Sequence, residues 1–174
     1  MAKPRDRTPR ALSVGILVDQ WGGGGKTGDE EYADHVKVFG KILSPCRCTF
    51  EQMRYPNEQA AKDLIVFDYG GMSVGNDLLS SNSRALIRWA QDHPSSLLLI
   101  ASRFTWRNGF REELIEMGLL DDVYEGYDDK PRLPPSMPNV RTFNYFMDLE
   151  LQNEIRAWFG LQRRKTLVER PFLT

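Results

Sequence analysis

The chain has 174 residues, of which 41% are hydrophobic and 27% are charged, and its formal net charge is −1. This composition is typical of one soluble globular domain and excludes an intrinsically disordered chain. A near-neutral chain as a whole has no strong electrostatic attraction to nucleic acid or to an anionic membrane. No apolar run approaches the length of a membrane-spanning helix, and no secretory signal is visible. We therefore expect a cytoplasmic protein without a membrane partner.

The charge is distributed unevenly along the chain. Residues 1–10 hold four basic residues against one acid, and residues 156–174 hold five against one acid, so the residues between them carry a net charge of −8. We predict a basic N-terminal arm at 1–10, a single α/β domain at 11–160 and a basic C-terminal tail at 161–174. Such charged terminal arms are partly disordered in an isolated monomer, and we therefore regard them as candidates for binding a partner.

Strand and helix patterns alternate from the start of this domain. Residues 12–18 are a short apolar run typical of a buried strand, and residues 29–43 follow as an amphipathic helix. Thr27 and Glu30 fit a capping box at the start of this helix, and Pro45 prevents its continuation. The helical spacing predicts an inner face that carries Tyr32, Val36, Phe39 and Leu43.

The middle of the chain contains two further apolar runs. Residues 46–54 alternate loosely, which predicts a strand, and residues 57–62 are expected to form one or two helical turns. The uninterrupted apolar runs at 64–67 and 97–101 predict strands that are buried on both faces. Between these two runs, the pattern predicts a helix that begins at residue 77 or 81 and ends at residue 92.

The last part of the chain carries weaker signals. Apolar residues at helical spacing predict an amphipathic helix around 110–117. Residues 123–127 are predicted as a weak final strand, and residues 128–141, which include four prolines, as an extended loop. A last helix is predicted around 151–158, and Gly160 is placed to end it.

The order of these elements predicts the fold class. Continuous apolar strands that alternate with helices are typical of a parallel sheet covered on both faces. We predict an α/β three-layer sandwich with a mostly parallel sheet of about five strands, Rossmann-like or flavodoxin-like. Right-handed crossovers place the carboxyl ends of the strands along one edge, where ligands bind in such folds. The loops that follow residues 12–18 and 64–67 should lie together at this edge.

The first of these loops is rich in glycine, with five glycines in residues 22–28. Such a backbone can wrap an anion before a helix N-terminus. Residues 22–27, GGGGKT, resemble the phosphate-binding loop of P-loop NTPases of the ParA/MinD type, and residues 64–68, LIVFD, resemble their Walker B strand. Gln20 and Trp21 stand where the family has a glycine and its signature lysine. The resemblance therefore implies phosphate binding more strongly than hydrolysis.

The resemblance implies a nucleotide- or phosphate-binding protein, with ATP or GTP and Mg²⁺ as its ligands. Backbone amides would come from Gly22, Gly23, Gly24 and Gly25. Lys26 would contact phosphate, and Thr27 and Asp68 would hold Mg²⁺. The alternative is that the glycines form a flexible linker and that Thr27 is an ordinary helix cap.

Two other hypotheses remain open. Asp19 and Asp68 each end a predicted strand, and carboxylates clustered at this edge resemble those of PIN/NYN-type nucleases, which use Mg²⁺ or Mn²⁺. In that case Asp19 and Asp68 are catalytic; otherwise they are turn residues.

The third hypothesis is a non-enzymatic assembly component. Residues 1–10 and 161–174 would then build a homo-oligomer or larger complex, and nucleic acid is a further candidate partner of these basic arms.

The histidines and cysteines are the remaining candidate ligands. Cys46 and Cys48 are predicted to be free thiols, either buried or half-buried, because their spacing does not suit an ordinary disulfide and no further zinc ligand lies near them in the sequence. His35 lies inside the first predicted helix and is expected to be exposed or half-buried. His93 precedes a proline at a helix end, where it can cap carbonyl groups.

Overall fold

Five strands form one sheet in the computed structural model. The structure describes residues 9–18, 27–69, 76–101, 105–121, 131–143 and 147–169. At positions 76, 77, 107 and 108 it describes the backbone alone. The strands are β1 (Ala11–Val18), β2 (Arg47–Met53), β3 (Leu64–Asp68), β4 (Leu97–Ala101) and β5 (Val140–Phe143). All neighbouring strands pair in parallel, in the order β2-β1-β3-β4-β5.

Helices cover both faces of this sheet. They are α1 (Gly28–Ile42), α2 (Asn76–Asp92), α3 (Arg111–Glu116) and α4 (Leu149–Trp158), with a π-helical turn at Trp106–Phe110 before α3. α1 and α4 pack on one face, whereas α2, the π-helical turn and α3 pack on the other. The predicted three-layer α/β fold of Rossmann or flavodoxin type is thus confirmed. Among the described helices, none is long and apolar enough to cross a membrane.

The central strands contribute to two hydrophobic cores. On β3, Leu64 and Val66 face the core that contains α1, and Ile65 and Phe67 face the core that contains α2. Successive side chains of a strand point to opposite faces, so a strand between two helical layers must be apolar at every position. This explains why β3 and β4 are continuous apolar runs in the sequence.

The fifth strand lies at a different place from the predicted one. The predicted strand at 123–127 falls outside the described residues, and β5 begins inside the segment 128–141 that the prolines predicted to be a loop. β5 has four residues and pairs with β4 alone, with Val140 opposite Leu98. Four residues are too few to show a periodicity, so only the pairing with β4 identifies this strand.

The connection from β2 to β3 contains turns, so the prediction of helical turns at 57–62 is wrong. Asn57 Oδ1 accepts a hydrogen bond from the Gln59 backbone N–H at 3.0 Å. Such a local bond from side chain to backbone competes with helix formation. The Trp89 indole also donates to the Ala60 carbonyl at 2.9 Å and holds the connection against α2.

The C-terminal tail is bound to α4 as far as residue 169. Gln152 Nε2 donates to the Val168 carbonyl, and Gln152 Oε1 accepts from the Val168 N–H, both at 2.9 Å. Asn153 makes the same pair of bonds with the backbone of Arg164, at 3.1 and 2.7 Å. The expectation of a loose arm is therefore wrong for this part of the tail. Its role in assembly stays a prediction.

The two cysteines are free and half-buried, as predicted. Burial, together with the nearby Cys46 and Asp63, raises the pKa of the Cys48 thiol to about 11. Because the thiolate is the reactive form, Cys48 should resist alkylation in the folded protein.

We expect Cys48 to react with iodoacetamide at pH 8 about a hundredfold more slowly in the folded protein than in the denatured protein, since its thiolate fraction falls by about that factor. Peptide mass spectrometry over a time course would measure both rates. Equal rates in the folded and denatured protein would contradict this expectation.

Candidate functional site

The sheet order creates a topological switch point at the carboxyl ends of β1 and β3, where we expect a ligand-binding crevice. These strands are neighbours, with Val18 opposite Asp68. The chain leaves β1 toward α1 on one face and leaves β3 toward α2 on the other face. In parallel α/β sheets, ligands bind where adjacent connections diverge in this way.

Three ionisable side chains meet beside this crevice. Glu31 and His35 lie one turn apart on α1, and Asp68 is the last residue of β3. One ligand atom from each side chain lies within 4.8 Å of the other two. His35 Nε2 is 2.8 Å from Asp68 Oδ2 and forms a hydrogen bond with it. The three residues are 8%, 3% and 8% exposed, respectively, so the cluster is buried.

The local sequence sets the rotation of α1 about its axis. Thr27 Oγ1 accepts the Glu30 N–H at 3.2 Å and Glu30 Oε2 accepts the Thr27 N–H at 3.0 Å, which confirms the predicted capping box. Val38, Phe39 and Ile42 are buried against the sheet further along the helix. Since residues four apart share a helix face, the same face in the first turns carries Glu31 and His35.

The residue after Asp68 is held on the other side of the sheet. The Tyr69 N–H donates to Thr105 Oγ1 at 3.1 Å, and the Tyr69 hydroxyl accepts from Asn82 Nδ2 at 2.9 Å. The Tyr69 ring also packs on Phe67, with centroids 4.8 Å apart. These contacts join the end of β3 to α2 and to the start of the π-helical turn. Asp68 is therefore held in place by its hydrogen bond to His35 of α1 on one face of the sheet and by the contacts of the next residue, Tyr69, on the other face.

The cluster offers one imidazole nitrogen and two carboxylates. Such a donor set suits divalent cations of intermediate hardness. A carboxylate that orients a histidine is also the arrangement by which proteins prepare a general base. Both uses are compatible with the position beside the switch-point crevice.

The predicted site residues have different outcomes. Asp68 is buried at the crevice, and Thr27 is an exposed helix cap at the start of α1. The other predicted members lie outside the described residues: Asp19, Gly22, Gly23, Gly24, Gly25 and Lys26. Their roles stay predictions.

Sequence reasoning missed Glu31 and placed His35 wrongly. His35 was expected to be exposed or half-buried, whereas the structure buries it against Asp68. The predicted inner stripe is confirmed at Phe39 and Leu43, but at the start of α1 it is displaced by one position, because Tyr32 and Val36 are only half-buried. The sequence does contain a pattern that predicts this burial, because the spacing of Glu31, His35, Val38 and Ile42 places all four residues on one face of a helix.

Comparisons of this chain with protein-family models, curated proteins and solved structures find no match. The functional argument therefore rests on the residues and on their arrangement.

Proposed function

We propose that this chain is a small nucleotide- or phosphate-binding α/β protein whose ligand lies at the β1/β3 crevice. The observation that supports the proposal is that β1 ends at Val18 beside the end of β3, and that α1 begins with a capped turn at Thr27, so that residues 19–26 connect these two elements in the sequence. This segment contains the glycines and Lys26 of the sequence motif. Free backbone N–H groups and the helix dipole favour an anion at such a position.

The proposed roles follow from this placement. Gly22–Gly25 supply amides to the phosphates, and Lys26 supplies a positive charge. Thr27 and Asp68 contribute oxygen atoms to a Mg²⁺ ion that travels with the nucleotide. The cap bond uses one lone pair of the Thr27 oxygen, and a hydroxyl oxygen has two. The proposal concerns binding and does not require hydrolysis.

Nucleotide binding should raise the melting temperature of the protein. With Mg²⁺ and ATP, GTP or ADP at a hundred times the dissociation constant, we expect about 2.7 kcal/mol of stabilisation and a rise of about 5 °C or more. Differential scanning fluorimetry would measure the shift. The Lys26→Ala variant should lose most of it, because the phosphate loses its cation.

Lys37→Ala is the matched control, since Lys37 is an exposed lysine further along α1. This variant should keep the full nucleotide-dependent shift. An absence of any shift in the wild-type protein would overturn the proposal, as would equal shifts in the wild type and Lys26→Ala.

A further inference from the structure

We infer that Glu31, His35 and Asp68 form a binding site for a divalent transition-metal ion, with Zn²⁺ as the preferred ion and Co²⁺ as a spectroscopic probe. The inference does not depend on nucleotide binding, because it concerns the metal alone. It also differs from the magnesium role proposed above, since it uses an imidazole nitrogen and two residues of α1.

The distances suit a shared ion. Zinc bonds to nitrogen and oxygen of about 2.0–2.2 Å place neighbouring ligand atoms about 3.4 Å apart in a tetrahedral site. The nitrogen of His35 and the oxygen of Asp68 are 2.8 Å apart, and a carboxylate oxygen of Glu31 lies within 4.8 Å of both. Small side-chain rotations that separate His35 from Asp68 and draw Glu31 inward would bring all three atoms onto one ion.

The charges of the three groups also favour a cation. Two carboxylate groups beside an imidazole nitrogen attract a divalent cation. An ion bound there would take the place of the hydrogen atom between His35 Nε2 and Asp68 Oδ2.

The donor set discriminates between metals. Mg²⁺ prefers oxygen ligands and keeps several waters, whereas Zn²⁺ and Co²⁺ accept imidazole readily. Three protein ligands also leave a coordination position for water or substrate, as in catalytic zinc sites. Two of the ligands come from α1 and one from β3, so the ion would fix the start of α1 against the sheet.

The test uses the full-length, untagged protein after removal of metals with a chelator. Equilibrium dialysis with elemental analysis should find one Zn²⁺ per chain, and Co²⁺ should give visible d–d absorption bands. Glu31→Gln and His35→Gln should each weaken the affinity for Zn²⁺ by more than about tenfold, since even residues that only support a metal ligand contribute about that much.

His93→Gln is the matched control, because His93 is the second of the two histidines and lies at the end of α2. It should bind Zn²⁺ as the wild type does. Circular dichroism would establish that each variant is folded, and the Co²⁺ spectrum of the wild type tests the site without any substitution.

Several results would overturn the inference. These are no binding by the wild type, unchanged affinity in either Glu31→Gln or His35→Gln, and tighter binding of Mg²⁺ than of Zn²⁺. A thiolate-to-cobalt charge-transfer band would place the ion at Cys46 and Cys48, at the start of β2, and would overturn it too. Since Lys26 reports on the nucleotide and His35 on the metal, failure of one proposal is distinguishable from failure of the other.

Discussion

The Arg156→Ala variant is expected to lose about 3 kcal/mol of its free energy of unfolding. Arg156 is 7% exposed and binds the end of α1 from α4. Its Nη1 donates to the carbonyl of Ile42 at 2.7 Å and of Ser44 at 2.6 Å, and its Nε donates to the carbonyl of Gln162. Alanine removes these donors and leaves buried carbonyl groups at a helix end, where α1 has no partners of its own for them.

The electrostatics of Arg156 limit the size of this loss. Burial lowers the pKa of the guanidinium, and the nearby Arg164 lowers it further. The folded state therefore bears a cost for holding this charge, and that cost disappears in the alanine variant. Arg156→Lys should lie between the wild type and alanine, because an ammonium group lacks the planar fork that reaches separate carbonyl groups.

Arg163→Ala is the matched control in the same region, since Arg163 is exposed. Its unfolding free energy should stay within about 0.5 kcal/mol of the wild-type value. Urea unfolding followed by circular dichroism would measure all three variants. Equal losses in Arg156→Ala and Arg163→Ala would contradict the proposed role of Arg156.

Asn139 is expected to have the second largest effect, with a loss of about 2–3 kcal/mol in Asn139→Ala. Asn139 is 2% exposed, directly before β5. Its Nδ2 lies 2.9, 3.1 and 3.0 Å from the carbonyl oxygens of Ala90, His93 and Ser96, and it donates to all three by sharing one of its two hydrogens. One side-chain amide thus satisfies the end of α2 and the turn that leads to β4.

Asn139→Asp should be more destabilising than alanine at neutral pH, because a carboxylate would face three carbonyl oxygens without a donor. The folded state then favours the protonated acid, so the pKa of the new carboxyl is raised on folding. Its penalty is full above the raised pKa and decreases as the pH falls through it. Stability of this variant relative to Asn139→Ala should therefore improve toward acidic pH.

Urea unfolding at two pH values would measure these changes, with Asn57→Ala as the control. Asn57 is exposed and makes only a local turn bond among the described contacts. A loss in Asn57→Ala as large as in Asn139→Ala would contradict the assignment, as would a pH-independent difference between Asn139→Asp and Asn139→Ala.

The elements that were predicted correctly are those that depend on a continuous apolar run or on contacts between residues close in the sequence. β3 and β4 are buried on both faces, and every residue of the two strands except the terminal Asp68 is therefore apolar. Thr27 and Glu30 cap α1 through contacts three residues apart, which the sequence shows directly. The predicted capping by His93 is confirmed as well, since its Nδ1 donates to the Trp89 carbonyl at 2.8 Å.

The elements that were missed depend on partners distant in the chain. β5 is a strand because it pairs with β4, and Asn139 is buried because α2 ends beside it. The tail follows α4 because Gln152 pairs with the backbone of Val168. None of these relations has a periodicity that a short window of sequence can show.

By itself, the sequence determined the layers of this protein, the sheet edge that carries the carboxyl ends of the strands and the start of α1, because burial and capping act on residues close in the chain. Only the tertiary structure decided which side chains meet at that edge. Glu31 and His35 reach Asp68 through the rotation of α1 against β1 and β3, and packing across 33 residues of chain sets that rotation. A difference of one position in the buried stripe separates a solvated histidine from one that is buried against Asp68, and close packing of the whole core decides between them.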